Sequence, residues 1–264
     1  MATITHGDVP ASSLPYANRV RRVASDQPFL WLAAGWRDLI TAPAASLGYG
    51  LLFVIIGFAL TYGLWRTGMI YMLAPLAAGF MLLVPLLSVG FHAISRDIEQ
   101  NKRPTFSDAL FAGQQNAKSM VNAALAFMFM FLLWMRLSEL VFALSFPPTA
   151  ALDVQGLFNA TFFTVGGWEF LALFLILGGC MAALTFMGGA FALPMLLDKD
   201  VSMAEAIATS FTAAVMNLRT MAVWAALVVI LLVGGMAFFY VGLIVTLPLV
   251  GLASWHAYRA VIGR

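Results

Sequence analysis

Apolar positions along this chain fall in long, nearly unbroken runs separated by short polar intervals. Runs at 47–65, 69–94, 119–146 and 168–197 are each long enough for one membrane crossing, and the last, 220–257, is long enough for two. The yardstick is simple: a hydrocarbon layer of about 30 Å, crossed by a helix rising about 1.5 Å per residue, needs about 20 apolar residues. Gly234 and Gly235 lie near the middle of the last run. Glycine tolerates the backbone angles of a tight reversal, so the run divides into spans at about 220–237 and 239–258. Pro147 and Pro148 close the third run, and a looser loop through Asp153 and Gly156 leads to the fourth. The pattern predicts an all-α, polytopic membrane protein with six transmembrane helices.

The polar intervals carry a second pattern. Ahead of the first span, Phe29, Leu32, Ala33, Trp36, Leu39 and Ile40 form a stripe at helical spacing. Between spans four and five, Ile207, Phe211, Ala214, Val215 and Leu218 form another. Thr105 with Asp108, and Ser202 with Glu205, each place an acid three residues after a hydroxyl. That is the signature of a helix start, and for Ser202 it predicts a capping box. Both intervals then reach the same phrase, Asn116 to Met120 and Asn217 to Met221. Such helices lie in the bilayer interface with the apolar side against acyl chains, a depth that suits Trp31 and Trp36. The even-numbered spans share an ending: Pro85 leads to His92 and Arg96, Pro248 to His256 and Arg259, and Pro194 to Asp198. Together these make a threefold internal repeat of interfacial helix, span and span, in which parallel copies pack by duplication.

Composition agrees with the pattern. Hydrophobic residues make up 62% of the 264 residues, charged residues 10%, and mean hydropathy is +0.93. A soluble domain carries about 25% charged residues to cover its surface. A net charge of +2, a single cysteine and the absence of a basic run exclude a nucleic-acid binder, a disulfide-stapled secreted domain and a disordered chain. Residues 1–27 hold no apolar run long enough for a signal peptide and read as a flexible cytoplasmic lead-in to a single domain at 28–264. With both termini on one side, that side holds Arg19, Arg21, Arg22, Arg37, Arg96, Lys102, Arg103, Lys118, Lys199, Arg219, Arg259 and Arg264, leaving only Arg66 and Arg136 of the 14 basic residues for the other. Basic residues favour the cytoplasmic face, so both termini are expected there.

Chemistry-bearing residues are few. His92 and His256 stand at equivalent depths in spans two and six and are the only haem-ligand candidates. Each adjoins an arginine at the lipid boundary, where hydrogen bonding to backbone or headgroup is the plainer role. Arg136 and Glu139 are three apart on one helical face near the outer surface, with Glu169 and Arg66 as outer companions. They read as a paired anchor or as a gate. Pro75, Pro85, Pro194 and Pro248 free backbone carbonyls that kink a helix or line a cavity. Gly178, Gly179, Ala182 and Ala183 let helices approach closely. Cys180 has no activating base, and Met128, Met130, Met181 and Met187 belong to an apolar composition rather than to copper. No phosphate loop, catalytic triad motif or HExxH is present. No cofactor, metal or catalytic residue is expected.

Several separated phrases carry a resemblance. The stretch from Pro28 through Gly35, Trp36, Arg37, Asp38 and Leu39 to Pro43, Ser46, Leu47, Tyr49 and Gly50 resembles a bacterial membrane family catalogued as domain of unknown function 2189. So do Trp134 to Leu137, Leu193 to Asp198 and Trp255 to Arg259, whereas His92 departs from the acidic or tyrosine-rich ending found in many relatives. The resemblance implies an inner-membrane protein with no activity to carry over and a loose oxidase association in some members. The expectation is therefore a non-catalytic accessory or scaffold component of a membrane complex, a respiratory one included, whose partners are membrane lipids and other integral membrane proteins. The rival is a small permease or channel for a lipid-like or apolar solute. A bis-histidine haem subunit comes third.

Overall fold

A computed structural model describes residues 14–146 and 154–262 of the chain. Residues 1–13 of the lead-in, Pro147, Pro148, Asp153 and Arg264 lie outside the described residues. Among those described the chain is helical and contains no strand. In order, the helices are α1 (Gln27–Thr41), α2 (Pro43–Arg66), α3 (Leu73–Leu87), α4 (Val89–Glu99), α5 (Phe106–Leu110), α6 (Ala117–Ser145), α7 (Val154–Phe162), α8 (Val165–Gly189), α9 (Ala192–Asp198), α10 (Met203–Met216), α11 (Leu218–Ala237) and α12 (Leu243–Val261).

Among the described residues, five helical stretches are long and apolar enough to cross a membrane: Pro43–Arg66, Ile70–Glu99, Ala117–Ser145, Val165–Asp198 and Leu218–Ala237. Their outward faces carry Ile55, Phe58, Leu60, Leu125, Phe129, Leu175, Ile176 and Ile230, all exposed. Side chains of this kind are stable in such numbers only against hydrocarbon. α12 is 19 residues long, but Ser254, His256, Tyr258 and Arg259 make its last turns polar. It packs against α1, α2, α4 and α11, and more than half of its residues are buried.

Two spans are each interrupted within about one turn of a proline. α3 ends after Pro85, and Ser88, whose hydroxyl donates to Val84 O at 2.8 Å, joins it to α4. α8 passes to α9 through Ala190 and Phe191, upstream of Pro194. There Ser210 of α10 accepts from Phe191 N–H at 3.2 Å and donates to Met187 O at 2.6 Å, satisfying groups the break exposes. Pro248 leaves α12 unbroken, and its ring rests in the space left by Gly50: a Cβ there would lie 2.8 Å from the ring and 3.0 Å from Ile244 O.

Several expectations are corrected. The reversal between the last two long helices falls at 238–242, with Phe239 and Tyr240 at φ 51° and 62°, not at Gly234 and Gly235. Gly235 stays helical and is a point of close packing: a Cβ added at Gly242 would lie 2.7 Å from Gly235 Cα, and one added at Gly235 would lie 3.1 Å from Leu243 N. Gly156 belongs to α7 rather than to a loop. Trp31 faces inward at 3% exposure, edge-on to Trp224 at 5.7 Å, rather than toward the interface. Leu39 is buried too, while Phe29, Trp36 and Ile40 of the same stripe are exposed. The capping box closes at Thr105 and Asp108; at Ser202 only the backbone bond from Glu205 forms, because the Glu205 carboxylate pairs with Arg19.

The described part of the lead-in, from Leu14, packs on the bundle. Thr212 donates to Pro15 O at 2.8 Å, and Arg21 N–H donates to Val261 O at 2.9 Å. Asn217 accepts from Val23 N–H at 2.8 Å and donates to Arg21 O at 3.0 Å. This strap ties α10, α11 and the end of α12 together.

Candidate functional site

The polar residues gather where α1, α4, α9 and α12 converge. Asp38 of α1 is buried, and one of its oxygens accepts twice: from the Ser95 hydroxyl at 2.6 Å and from His256 Nε2 at 2.7 Å. These three side chains come from separate helices, so the carboxylate pins α1, α4 and α12 to one another. Serine, histidine and aspartate together invite comparison with a catalytic triad, but the order is different. Ser95 donates to the carboxylate rather than to the imidazole, so the histidine is not placed between them as in a triad.

One turn further on, Glu99 accepts from Trp255 Nε1 at 3.1 Å and from Arg259 at 2.9 Å. Tyr258 donates to Asp198 at 2.6 Å, and Arg259 lies 3.6 Å from the same carboxylate. Arg96 donates to Leu197 O at 3.3 Å and lies beside Asp97. The lattice thus joins the ends of α4, α9 and α12. Among the described residues no cluster of three histidine, cysteine or carboxylate side chains is suited to a metal ion.

Above the lattice lies an apolar cavity of about 360 Å³. Its walls come from α3 (Met81, Pro85), α8 (Ala182, Phe186), α11 (Met221, Trp224) and α12 (Val250, Ser254), with His92 of α4 at one side. α8 and α11 stand apart along their length, and Gly179, Ala183, Ala222 and Val229, all exposed, form the rim between them. The opening therefore faces the lipid side of the bundle rather than water. The wall carries no charged side chain. The hydroxyls of Ser88, Thr185 and Ser254 each donate to a carbonyl of their own helix. His92 is 1% exposed, and neither ring nitrogen has a hydrogen-bond partner among the described residues. Leaving such a group unpaired costs about 1–3 kcal/mol.

The two histidines are not brought to a common site. His256 is engaged by Asp38 in the lattice, while His92 belongs to the cavity. Of the prolines, Pro85 lines the cavity, Pro194 is buried beside the α8–α9 break, and Pro248 packs on Gly50. Arg136 donates to Glu139 at 2.8 Å at the far end of α6, with the arginine 82% exposed. Glu139 borders a second apolar cavity of about 440 Å³ between α3, α6, α7 and α8. Glu169 and Arg66 are both exposed at that end of the bundle, away from the lattice.

Residues 73–198 match the model of one family. It is described as predicted integral membrane protein (DUF2189). The chain is an integral membrane protein with several apolar helices, similar to that family from α3 to α9. His92, Pro85, Arg136, Glu139 and Pro194 fall inside the match; Asp38, Pro248 and His256, on α1 and α12, fall outside it. No curated protein and no solved structure matches the chain. The lattice therefore draws on both sides of the family boundary, α4 and α9 within it, α1 and α12 beyond it.

Proposed function

We propose that the chain is a non-catalytic, six-crossing protein of the bacterial inner membrane, with both termini cytoplasmic, that takes a lipid-like apolar solute into the cavity between α8 and α11 in the manner of a small permease. The cavity carries this reading: it is apolar, of the size of small-molecule sites (about 300–1,000 Å³), and open toward lipid. The sixth crossing is α12, which returns beside α11 and whose 19 residues reach about 28 Å. The basic residues at the lattice end support a cytoplasmic location for that end. Three units of amphipathic helix and paired spans, led by α1, α5 and α10, support the repeat. Exposed Phe29, Trp36 and Ile40 on α1, and Val215 at the end of α10, suit an interfacial depth.

The test is the lipid content of the purified protein. Mass spectrometry should find an apolar species retained by the wild type and absent from Ala183→Trp, whose indole fills the cavity rim. Equal content in both sinks the reading. Tags on the two ends, assayed for side, test the crossing number.

A second reading makes the chain an accessory component of a membrane complex, a respiratory one being the first to try. It is favoured by α8, whose outer face is broadly uncovered and whose Gly179 has open space beside it. Co-purification from native membranes in mild detergent supports it; isolation as a lone species at native expression counts against it.

A further inference from the structure

We infer that His92 selects what the cavity holds: a neutral long-chain molecule bearing one hydroxyl or carbonyl oxygen, which hydrogen-bonds the imidazole while its hydrocarbon tail lies between α8 and α11. The inference rests on the cavity reading above and adds the chemistry of the head. Three observations carry it. The wall holds no charged side chain, so an ionised head would enter without a counter-charge, which low-dielectric surroundings penalise heavily. The hydroxyls of Ser88, Thr185 and Ser254 already donate to backbone carbonyls, so they do not compete for the role of donor. His92 is buried with both ring nitrogens unpartnered, and it is the wall residue with donor and acceptor capacity both unused.

Position favours the same pairing. His92 lies about two turns before the end of α4, where Glu99 joins the lattice, so the imidazole is at the lattice end of the cavity. Gly179 and Val229, on the rim, lie farther along α8 and α11 toward the opposite face. A molecule entering between those helices places its head at the imidazole and its tail along the apolar wall. Neutral imidazole donates from one nitrogen and accepts at the other, so it serves a carbonyl oxygen and a hydroxyl alike. Sources of either kind share this chemistry, and separate probes distinguish them.

The experiment is equilibrium binding of radiolabelled hexadecanol, 2-heptadecanone and hexadecane to the purified full chain in detergent, with Ala183→Trp defining non-specific uptake. The wild type should bind one or both oxygen-bearing probes about tenfold more tightly than hexadecane, the ratio expected for one buried hydrogen bond. His92→Leu should erase the preference without loss of hexadecane binding, and His92→Gln, which keeps a donor and an acceptor, should restore most of it. Preference for hexadecanol alone identifies a hydroxyl head; preference for the ketone identifies a carbonyl. Equal binding of all three probes by the wild type, or a preference that survives His92→Leu, overturns the role of His92 and leaves the cavity reading standing. Uptake of every probe no greater than by Ala183→Trp overturns the cavity reading, and this inference with it.

Discussion

Gly35 of α1 lies so close to Ala253 of α12 that a Cβ added to the glycine would sit 2.7 Å from the alanine's backbone nitrogen. The neighbour is main chain, not a side chain that can rotate aside, so any larger residue must push the two helices apart. Overpacking of this kind costs about 1–3 kcal/mol. Gly35→Leu is expected to lower the melting temperature in detergent clearly. Gly63→Ala, where a Cβ meets nothing within 4 Å, should be neutral or slightly stabilising.

Removing the Asp38 carboxylate leaves Ser95 and His256 without their shared acceptor. Hydrogen bonds to a charged partner are worth about 1.5–3 kcal/mol, so Asp38→Ala should destabilise by that order. His256→Ala should add little on top of it, because the two changes delete the same contact. Full additivity in a double-mutant cycle would show that the pair is not coupled. Arg37→Ala, next door but exposed, should stay within about 0.5 kcal/mol of wild type.

Asn217 holds the strap through two side-chain bonds, to Val23 N–H and to Arg21 O. Asn217→Ala should free this segment locally and speed tryptic cleavage after Arg21 and Arg22 by roughly tenfold, from loss of about 1–1.5 kcal/mol of hydrogen bonding. Unchanged cleavage would mean that the other bonds of the strap, from Arg21 N–H to Val261 O, from Thr212 to Pro15 O and from Thr220 to Val23 O, suffice without it.

The Arg136–Glu139 pair is a contrasting case. An exposed i,i+3 pair contributes about 0.2–0.5 kcal/mol. Arg136→Ala should therefore leave thermal stability and retained lipid as they are. A large effect on solute uptake would instead give this end of α6 a role in gating.

Asp108 is held below the usual carboxylate range, first by the Thr105 hydroxyl and then by the Thr105 backbone N–H. Its folded-state pKa is depressed, so the cap it forms is present above the ordinary carboxyl value and is lost as pH falls through the lower one. Carbon NMR of this carboxyl should show titration below that of the same group in Thr105→Val. Coincident curves would remove the cap as the cause.

The long apolar stretches of α2, α6, α8 and α11 are legible in sequence because lipid asks for the same property at every position over a full bilayer thickness. Pro194 announces the α8–α9 break through the donor it lacks at Ala190, whereas Pro85 sits inside α3 and only marks the neighbourhood of the α3–α4 break three residues on. The final reversal is misread for a physical reason: Gly234 and Gly235 look like a turn, yet Gly235 serves close packing, while Phe239 and Tyr240 take the positive φ angles. His92 and His256 look equivalent by spacing from a proline, but what separates them is tertiary. Asp38 stands 57 residues from Ser95 and 218 from His256, and no local pattern shows which histidine it will meet. Packing that buries Trp31 against Trp224 is hidden for the same reason, since its helix offers apolar side chains on both faces.

α10 bridges the feet of α8 and α11, with Ser210 set into the kink after one and Asn217 at the corner before the other. Two legs hinged at one crosspiece cannot spread without turning it. On the cavity reading, a change in the gap is expected to turn this short helix, whose Ala204 side is uncovered. A spin label there would register the breathing of a lipid-facing cleft from outside the hydrocarbon, with nothing placed in the cleft itself.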